Sequence, residues 1–255
     1  MTGRLTDEVV LVTGAARGIG RAIALKAAEE GAAVALLDVL PDQLATTTAE
    51  LEQTGATVAS AVGDVTDEDS VRRTVATLAE TLGRPITVLV NNAGKNAYAD
   101  ATQMTVAEWD SVFDVDLKGA WLMARAVLPP MIEAGHGAIV NIASIHSQLT
   151  TAGMFPYAAA KSGLVGMTRS LALDVAPHNV RVNAVSPGYI ATDLLEEFFD
   201  TIPNARESAL KVHPLGRIGT PENVAEVVCF LASRAAAFVT GANWAVDGGL
   251  GVRYA

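Results

Sequence analysis

The sequence predicts an α/β fold, a single domain in which helices cover both faces of a parallel sheet of about seven strands. Short apolar runs alternate with longer amphipathic runs along all 255 residues, which is the pattern of parallel strands joined by crossover helices. The short runs are continuously hydrophobic, as expected of strands buried on both faces. Because no linker rich in Pro, Gly or Ser divides the chain, residues 1–255 are expected to form one domain.

The individual elements follow from these runs. The predicted strands are VVLVT (9–13), AVALLD (33–38), TVASAV (57–62), TVLVNN (87–92), AIVNIAS (138–144), VRVNAVS (180–186) and ANWAVDG (242–248). The predicted helices are 18–30, 42–54, 67–82, 105–134, 156–176 and 221–233. Gly31, Gly55 and Gly83 each follow a predicted helix, where a terminating glycine is favoured.

The charge balance excludes some classes of partner. The chain has 18 Lys and Arg against 28 Asp and Glu, a formal net charge of −10. An acidic surface repels phosphate backbones and anionic lipids, so neither nucleic acid nor membrane is an expected partner. Cys229 is the single cysteine and lies in the apolar run VVCFLA, which predicts a buried structural thiol in a reducing compartment.

The N-terminal stretch MTGRLTDEVVLVTG has no long apolar segment before its first charges, so no signal peptide is expected. No apolar run reaches the roughly 20 residues of a membrane-spanning helix. The expected location is therefore the cytoplasm.

A glycine-rich turn, TGAARGIG, follows the first predicted strand and opens the first helix. Gly14, Gly18 and Gly20 would allow a tight turn and a close approach of the backbone to a pyrophosphate, which the N–H groups of the helix would bind. The spacing G-x-x-x-G-x-G differs from the usual dinucleotide pattern, and a plain structural turn is the alternative. In this context the turn predicts a Rossmann-type, doubly wound sheet, with Arg17 and Ile19 in the same cofactor site.

Asp38 ends the second predicted strand, 24 residues after Gly14. A carboxylate at this offset can accept hydrogen bonds from the adenosine ribose, and its charge repels the 2′-phosphate of NADP. Asp38 therefore predicts NAD as the cofactor, although Arg17 is a cation that could hold a phosphate. A solvated loop charge is the alternative interpretation of Asp38.

Polar residues also follow the third and fourth strands. Asp64, in GDVTD, could accept from the adenine amino group, or it could cap the helix that begins near 67, a role that Thr66 would serve equally. The tetrapeptide NNAG could line the adenosine side of a cleft. The cofactor candidates from these two turns are Asp64, Val65, Asn91, Ala93 and Gly94.

Tyr157 and Lys161 lie four residues apart in YAAAK, so on a helix they share one face. A nearby ammonium favours the phenolate and lowers the tyrosine pKa from its usual value of about 10 towards the range of a general acid/base. Ser144 ends the fifth strand, thirteen residues earlier, where its hydroxyl could hold a substrate oxygen. The alternative is an ordinary helix with one aromatic residue and one exposed lysine.

Taken in order, these motifs resemble the short-chain dehydrogenase/reductase family of the roughly 250-residue type. The matching motifs are TGAARGIG (13–20), Asp64, NNAG (91–94), Ser144, YAAAK (157–161) and PGYIATD (187–193). The resemblance implies NAD(P)-dependent hydride transfer between a hydroxyl and a carbonyl carbon. It makes Tyr157 the acid/base and Ser144 the anchor of the substrate oxygen, while Lys161 lowers the tyrosine pKa and binds the nicotinamide ribose.

The same resemblance assigns further contacts. Ile190 and Thr192 would hold the nicotinamide carboxamide, with Pro187 and Gly188 in the same cofactor segment, and Asn91 would contact the adenosine ribose region. Family members of this type pack as homotetramers, so a homotetramer is expected.

One residue departs from the family pattern. Asp116 stands in DLKG where the family has an asparagine that positions a proton-relaying water. An ionised aspartate accepts hydrogen bonds but cannot donate them, and it would favour a charged Lys161. Asp116 is therefore expected to keep a catalytic role with an altered pH dependence.

The substrate should be read by residues 145–156 and by a lid at about 194–216, with LLEEFF as a lid helix. His146, Gln148 and Met154 join Ser144 and Tyr157 as substrate candidates. The text ASIHSQ…GMFPYAAAK is similar to bacterial sugar dehydrogenases of this family, which favours a small alcohol or sugar substrate, such as an aldose oxidised to its lactone.

Two alternatives remain open at this point. One is a 3-oxoacyl-carrier-protein reductase, which Asp38 and the acidic surface disfavour because carrier proteins are acidic. The other is a non-catalytic NAD-binding regulator. The four histidines and one cysteine show no metal-ligand spacing, so no metal is expected.

Overall fold

The computed structural model describes residues 3–96, 100–201 and 203–253. In these ranges seven parallel strands form one sheet with the order β3-β2-β1-β4-β5-β6-β7. The strands are β1 (Val9–Thr13), β2 (Ala33–Asp38), β3 (Val58–Val62), β4 (Val88–Asn91), β5 (Gly137–Ile142), β6 (Val180–Pro187) and β7 (Asn243–Val246). The predicted doubly wound fold is confirmed.

Helices connect the strands. They are α1 (Gly18–Glu29), α2 (Pro41–Gln53), α3 (Glu68–Leu82), α4 (Val106–Phe113), α5 (Ala120–Ala134), α6 (Tyr157–Val175), α7 (Asp193–Thr201), α8 (Ala205–Val212) and α9 (Pro221–Ala232). The expected lid at 194–216 contains α7 and α8, and its residue 202 lies outside the described residues. Over the described ranges, no helix combines the length and apolar character that crossing a membrane requires.

One predicted helix is interrupted. The continuous helix expected over 105–134 is split into α4 and α5 by a π-helical turn at Asp114–Gly119. Such turns insert one residue per turn and often occur at functional sites. The apolar pattern on either side fits an unbroken helix, so the interruption is set by the tertiary contacts of the turn.

The strand order reverses between β1 and β4. Strands β2 and β3 extend the sheet to one side of β1, and β4 to β7 extend it to the other, with Val10 paired to Val34 and to Val88. A crevice opens beyond the carboxyl ends of strands at such a reversal, because the following connections diverge to opposite faces.

The core lies on both faces of the sheet. All five residues of β1 are buried; Val10 and Val12 belong to one apolar cluster, whereas Val9 and Leu11 belong to the other. This arrangement explains the continuous hydrophobicity of the central strands, since both faces need apolar side chains. The two edge strands are less buried, and Val62 on β3 is 57% exposed.

Cys229 on α9 is buried as expected, and burial raises the pKa of its thiol to about 12. The thiolate is the form of cysteine that attacks thiol reagents, so Cys229 is expected to stay unmodified in the folded protein and to react once the chain unfolds. Ellman's reagent, added with and without denaturant, measures this. Rapid stoichiometric labelling without denaturant would show that α9 does not protect the thiol.

Candidate active site

A cleft of about 650 Å³ opens at the carboxyl ends of the central strands. Most residues predicted from the sequence line it. These are Gly14, Arg17, Gly18, Ile19, Asp38, Asp64, Val65, Ala93, Gly94, Ser144, His146, Met154, Tyr157, Lys161, Pro187, Gly188, Ile190 and Thr192. Four other candidates, Gly20, Asn91, Asp116 and Gln148, do not line the cleft and are placed below.

The glycine-rich turn joins β1 to α1, which begins at Gly18 and directs its free N–H groups at the cleft. Gly20 lies beneath the turn, where a Cβ atom would come within 2.0 Å of the Gly14 carbonyl oxygen and 2.5 Å of Asn92 Nδ2. Gly20 therefore packs the helix against the turn and has no direct place in the cleft. A dinucleotide pyrophosphate fits this cradle of backbone donors.

Asp38 is held rigidly at the end of β2. It is 7% exposed, its Oδ2 accepts from the Ala16 N–H at 2.9 Å, and its Oδ1 accepts from the Leu40 N–H at 3.1 Å. A solvated loop charge is therefore the wrong interpretation. The carboxylate lies beside the glycine-rich turn and lines the cleft, a position from which it can accept from ribose hydroxyls.

Asp64 also lines the cleft, and it folds its own turn. Its Oδ1 accepts from the backbone N–H and the hydroxyl of Thr66, both at 2.8 Å. The N-cap of α3 is instead Asp67, which accepts from the backbone N–H groups of Asp69 and Ser70. The capping roles considered for Asp64 and Thr66 are thus wrong, and Asp64 remains available to the cleft.

The structure corrects the position that the sequence analysis predicts for Asn91. Its Nδ2 donates to Asn141 Oδ1 at 2.9 Å and to the Ala120 carbonyl at 3.1 Å, in a buried position that ties β4 to β5 and α5. Asn91 lies on the same face of β4 as Leu89, two residues earlier, and that face is covered by α5. It therefore points away from the adenosine region expected for it.

Asn92 takes the cleft position that was expected of Asn91. It lines the cleft, and its Nδ2 donates to the carbonyls of Thr13 and Gly14, each at 3.0 Å. The sequence analysis missed Asn92, although the period-two alternation along β4 would have separated the two asparagines. Gln148 is exposed and does not line the cleft, so its predicted contact with substrate is also corrected by the structure.

The three catalytic candidates converge. Ser144 follows β5, Tyr157 is the first residue of α6, and Lys161 lies one turn later. Lys161 is 4% exposed, and its Nζ donates to the Ile142 carbonyl at 3.1 Å and lies 5.6 Å from the centroid of the Tyr157 ring. The Ser144 Oγ accepts from the His146 N–H at 3.2 Å, and the Ser144 hydroxyl also acts on the Tyr157 phenol as a hydrogen-bond partner.

The electrostatics of this group differ from the sequence expectation. Burial raises the pKa of the Tyr157 phenol, the Lys161 ammonium lowers it, Asp116 raises it and the Ser144 hydroxyl lowers it, with a net shift upwards. Lys161 acts in the predicted direction, but loss of solvation outweighs it. Burial works to lower the pKa of Lys161, but the charges of Asp116 and Tyr157 outweigh burial and raise it, so Lys161 stays protonated.

Asp116 lies in the π-helical turn behind the cleft, with 1% exposure. Its Oδ1 accepts from the Lys95 N–H at 2.8 Å and lies 3.6 Å from Lys161 Nζ. Its Oδ2 is buried without a hydrogen-bond partner among the described residues. Gly94 makes room for this pair, because a Cβ there would lie 2.9 Å from Asp116 Oδ1 and 3.3 Å from Lys161 Nζ.

The other end of the cleft is suited to a substrate. The His146 Nδ1 lies 3.1 Å from the Thr150 hydroxyl, and its ring meets Tyr157 edge-on at 6.0 Å between centroids. Burial lowers the pKa of His146, so the imidazole is neutral. Further lining residues that the sequence analysis did not single out are Lys95, Asn96, Tyr189, Leu194, Leu195 and Phe198. The last three lie on α7, so this helix borders the cleft.

Across the described ranges, no three His, Cys, Asp or Glu side chains group closely enough to hold a metal ion. The arrangement is instead one of acid/base chemistry beside a dinucleotide cradle. A phenol, a protonated amine and a hydroxyl share one end of the cleft, and the glycine-rich turn occupies the other.

Comparisons with known proteins agree with this geometry. The profile of the family described as Enoyl-(Acyl carrier protein) reductase matches residues 14–251. The chain is 42% identical to the 3-oxoacyl-(acyl-carrier-protein) reductase FabG of Thermotoga maritima, over 97% of this chain and 99% of that protein. It is 41% identical to 2-(S)-hydroxypropyl-CoM dehydrogenase 3 of Xanthobacter autotrophicus, over 98% and 99% of the two chains.

A solved structure is similar over the whole chain. The gluconate 5-dehydrogenase of Burkholderia cenocepacia, in complex with NADP and tartrate, superposes with a TM-score of 0.93 at 34% identity, covering 98% of this chain and 100% of that one. The names of these relatives describe the reduction of an oxo group or the oxidation of a hydroxyl group. The chain belongs to the short-chain dehydrogenase/reductase family and is an oxidoreductase acting on CH–OH and carbonyl groups with a nicotinamide cofactor.

Proposed function

We propose that this enzyme is an NAD-dependent dehydrogenase that oxidises a sugar, such as an aldose to its lactone, or another polyhydroxylated secondary alcohol. The observation that carries the proposal is the meeting of Ser144, Tyr157 and Lys161 at one end of a cleft whose other end is a dinucleotide cradle. The similarity to a gluconate 5-dehydrogenase supports a polyhydroxylated substrate.

Ser144, Tyr157 and Lys161 have separate roles in the proposed reaction. Ser144 donates its hydroxyl hydrogen to the substrate oxygen and holds that oxygen beside Tyr157. The Tyr157 oxygen takes the proton of the alcohol in oxidation and returns it in reduction. Lys161 stays cationic and stabilises the phenolate that forms between these events. The bound nicotinamide accepts or supplies the hydride, and the lid helix α7 excludes water.

NAD is proposed over NADP because of Asp38. Both carboxylate oxygens are fixed by backbone donors, so the charge cannot swing away from an incoming 2′-phosphate. Arg17 is exposed and has no ion pair in the described part of the chain, and it could offset that repulsion in part. The gluconate 5-dehydrogenase neighbour was solved with NADP, which makes the coenzyme a direct test.

Asp38→Asn is expected to shift the coenzyme preference towards NADP. The substitution keeps the shape of the side chain and removes the charge, so the ratio of kcat/KM for NAD over NADP should fall about tenfold, equivalent to about 1.4 kcal/mol. Asp42→Asn, four residues later in the exposed first turn of α2, is the matched control and should leave the ratio unchanged. Equal ratios for the wild type and Asp38→Asn would contradict the proposed role of Asp38.

The substrate class is tested by one screen. Reduction of NAD and NADP is followed by absorbance with aldoses, polyols, sugar acids and simple secondary alcohols. Oxidation of NADH and NADPH is followed in the same way with a 3-oxoacyl thioester. The proposal expects turnover with a polyhydroxylated substrate and NAD. Turnover confined to simple secondary alcohols would support the proposed type of reaction and refute the proposed sugar substrate.

A second candidate is a 3-oxoacyl-carrier-protein reductase, which the 42% identity to the Thermotoga maritima protein favours. Against it stands the lid helix α7, which has four acidic residues and no basic residue in DLLEEFFDT at the mouth of the cleft. An acidic lid repels an acidic carrier protein. Turnover of the 3-oxoacyl thioester with NADPH, and of no sugar, would establish this alternative.

We further propose that the enzyme is a homotetramer. Large apolar side chains are exposed on the single chain, among them Trp121 on α5, Leu173 on α6 and Phe238 before β7. Burial of such side chains between copies would stabilise an assembly. Light scattering coupled to gel filtration should give four times the 26.4-kDa chain mass, and a monomer mass would refute the proposal.

A further inference from the structure

Asp116 places a buried carboxyl group behind the catalytic pair; burial raises the pKa of this group, and the cation of Lys161 works to lower it and favours the carboxylate. Its side chain is inaccessible to solvent, and Lys161 forms an ion pair with it at 3.6 Å between Oδ1 and Nζ, while the charge of Lys95 acts on it more weakly. The free Oδ2 finds no hydrogen-bond donor within the described residues. Since water does not screen this carboxylate, its charge acts on every group enclosed with it.

The other charged groups around Asp116 do not replace it. From α6, Lys161 and Tyr157 face it. From the turn after β4, Lys95 gives its backbone N–H, whereas its Nζ donates to the Ser111 hydroxyl at 3.1 Å. Within its own turn, Asp114 pairs with Lys118 at 3.1 Å on the exposed side, so those two charges compensate each other.

On the far side of Tyr157, His146 is neutral because burial lowers its pKa. Besides burial, which raises the pKa of Tyr157, three neighbours act on it: the cation of Lys161 and the hydroxyl of Ser144 lower it, and the anion of Asp116 raises it. An amide in place of the carboxylate would leave the cation unopposed.

We propose that Asp116 is a positioning residue that favours the protonated form of Tyr157, so that the site is set to donate a proton to a carbonyl and requires a more alkaline solution to accept one from an alcohol. The inference rests on the proposed acid/base role of Tyr157. In oxidation the alcohol O–H bond breaks and its proton goes to the Tyr157 oxygen; in reduction the phenol O–H bond breaks and the proton goes to the former carbonyl oxygen.

The direction of the effect follows from the charges. The phenolate is the base in oxidation, so the oxidation rate rises with pH through the pKa of Tyr157. The negative charge of Asp116 raises that pKa, and burial does the same. Removing the charge lowers the pKa and moves the rise in rate to lower pH, with one pH unit equal to a tenfold change in phenolate below the midpoint.

The test compares Asp116→Asn with the wild type and with Asp114→Asn, which removes one acidic charge from the exposed side of the same turn. Tyrosinate absorbance is titrated for the full chain in each background, and the same background with Tyr157→Phe is subtracted to isolate Tyr157. Asp116→Asn should lower the midpoint by about one pH unit, and Asp114→Asn should leave it unchanged. A midpoint that stays or rises in Asp116→Asn overturns the inference.

Two further measurements complete the design. The pH profile of kcat/KM for oxidation should shift in the same direction as the titration, and an unshifted profile counts against the inference. Should Asp116→Asn fail to fold by thermal melting, Asp116→Ser removes the same charge with less volume and is judged by the same midpoint. A chain that turns over no alcohol refutes the proposed function, while the titration still decides the effect of Asp116.

Discussion

Tyr157→Phe is expected to lower kcat about 10³-fold, the middle of the range that a positioned acid/base contributes. The substitution removes one oxygen from the first residue of α6 and leaves the ring, Lys161 and Ser144 in place. Without that oxygen the catalytic end of the cleft loses the group that exchanges the alcohol proton, and Lys161, being protonated, has no lone pair with which to replace it.

In Tyr157→Phe, a measurement of dinucleotide binding distinguishes the loss of a catalytic group from the loss of the folded structure. The turn that holds the pyrophosphate and the Asp38 carboxylate lie at the other end of the cleft, so the dissociation constant for NAD, measured by fluorescence quenching, should be preserved. Retained turnover with normal NAD binding would remove Tyr157 from the mechanism. Loss of both turnover and NAD binding would indicate a misfolded variant, which thermal melting would reveal. Tyr157→Trp cannot replace Tyr157→Phe in this test, because the tryptophan side chain has a larger volume.

Gly20→Ala is expected to cost about 2 kcal/mol of folding stability and at least tenfold in affinity for the dinucleotide. The added Cβ would lie 2.0 Å from the Gly14 carbonyl oxygen, far inside contact distance, and neither the backbone of the turn nor that of α1 has a flexible end that can yield. The turn must therefore move, and with it the N–H groups that face the cleft.

Gly55→Ala is the control for Gly20→Ala. Gly55 has a φ of +80° and open space around its Cβ position, so alanine there meets only backbone strain of about 1 kcal/mol. Denaturant unfolding and NAD titration measure both variants. Gly55→Ala should lose some stability and bind NAD normally, and a similar result for Gly20→Ala would refute the close packing beneath the turn.

The sequence by itself determined the fold and singled out Ser144, Tyr157 and Lys161 as candidate catalytic residues. Short apolar runs of five to seven residues between amphipathic ones leave few arrangements other than a parallel sheet with helices on both faces. The i, i+4 spacing places Tyr157 and Lys161 on one side of α6, and Ser144 at the end of β5 must lie at the same edge of the sheet. These are consequences of local periodicity, which a sequence displays directly.

Tertiary structure alone decided the environment of each group. The π-helical turn that brings Asp116 beside Lys161 leaves no trace in the apolar pattern, and the direction of the pKa shift of Tyr157 depends on how much protein surrounds it. The exchange of roles between Asn91 and Asn92 depends on which face of β4 is covered by α5. Solvation and packing depend on residues distant in the chain, and for that reason no local pattern contains them.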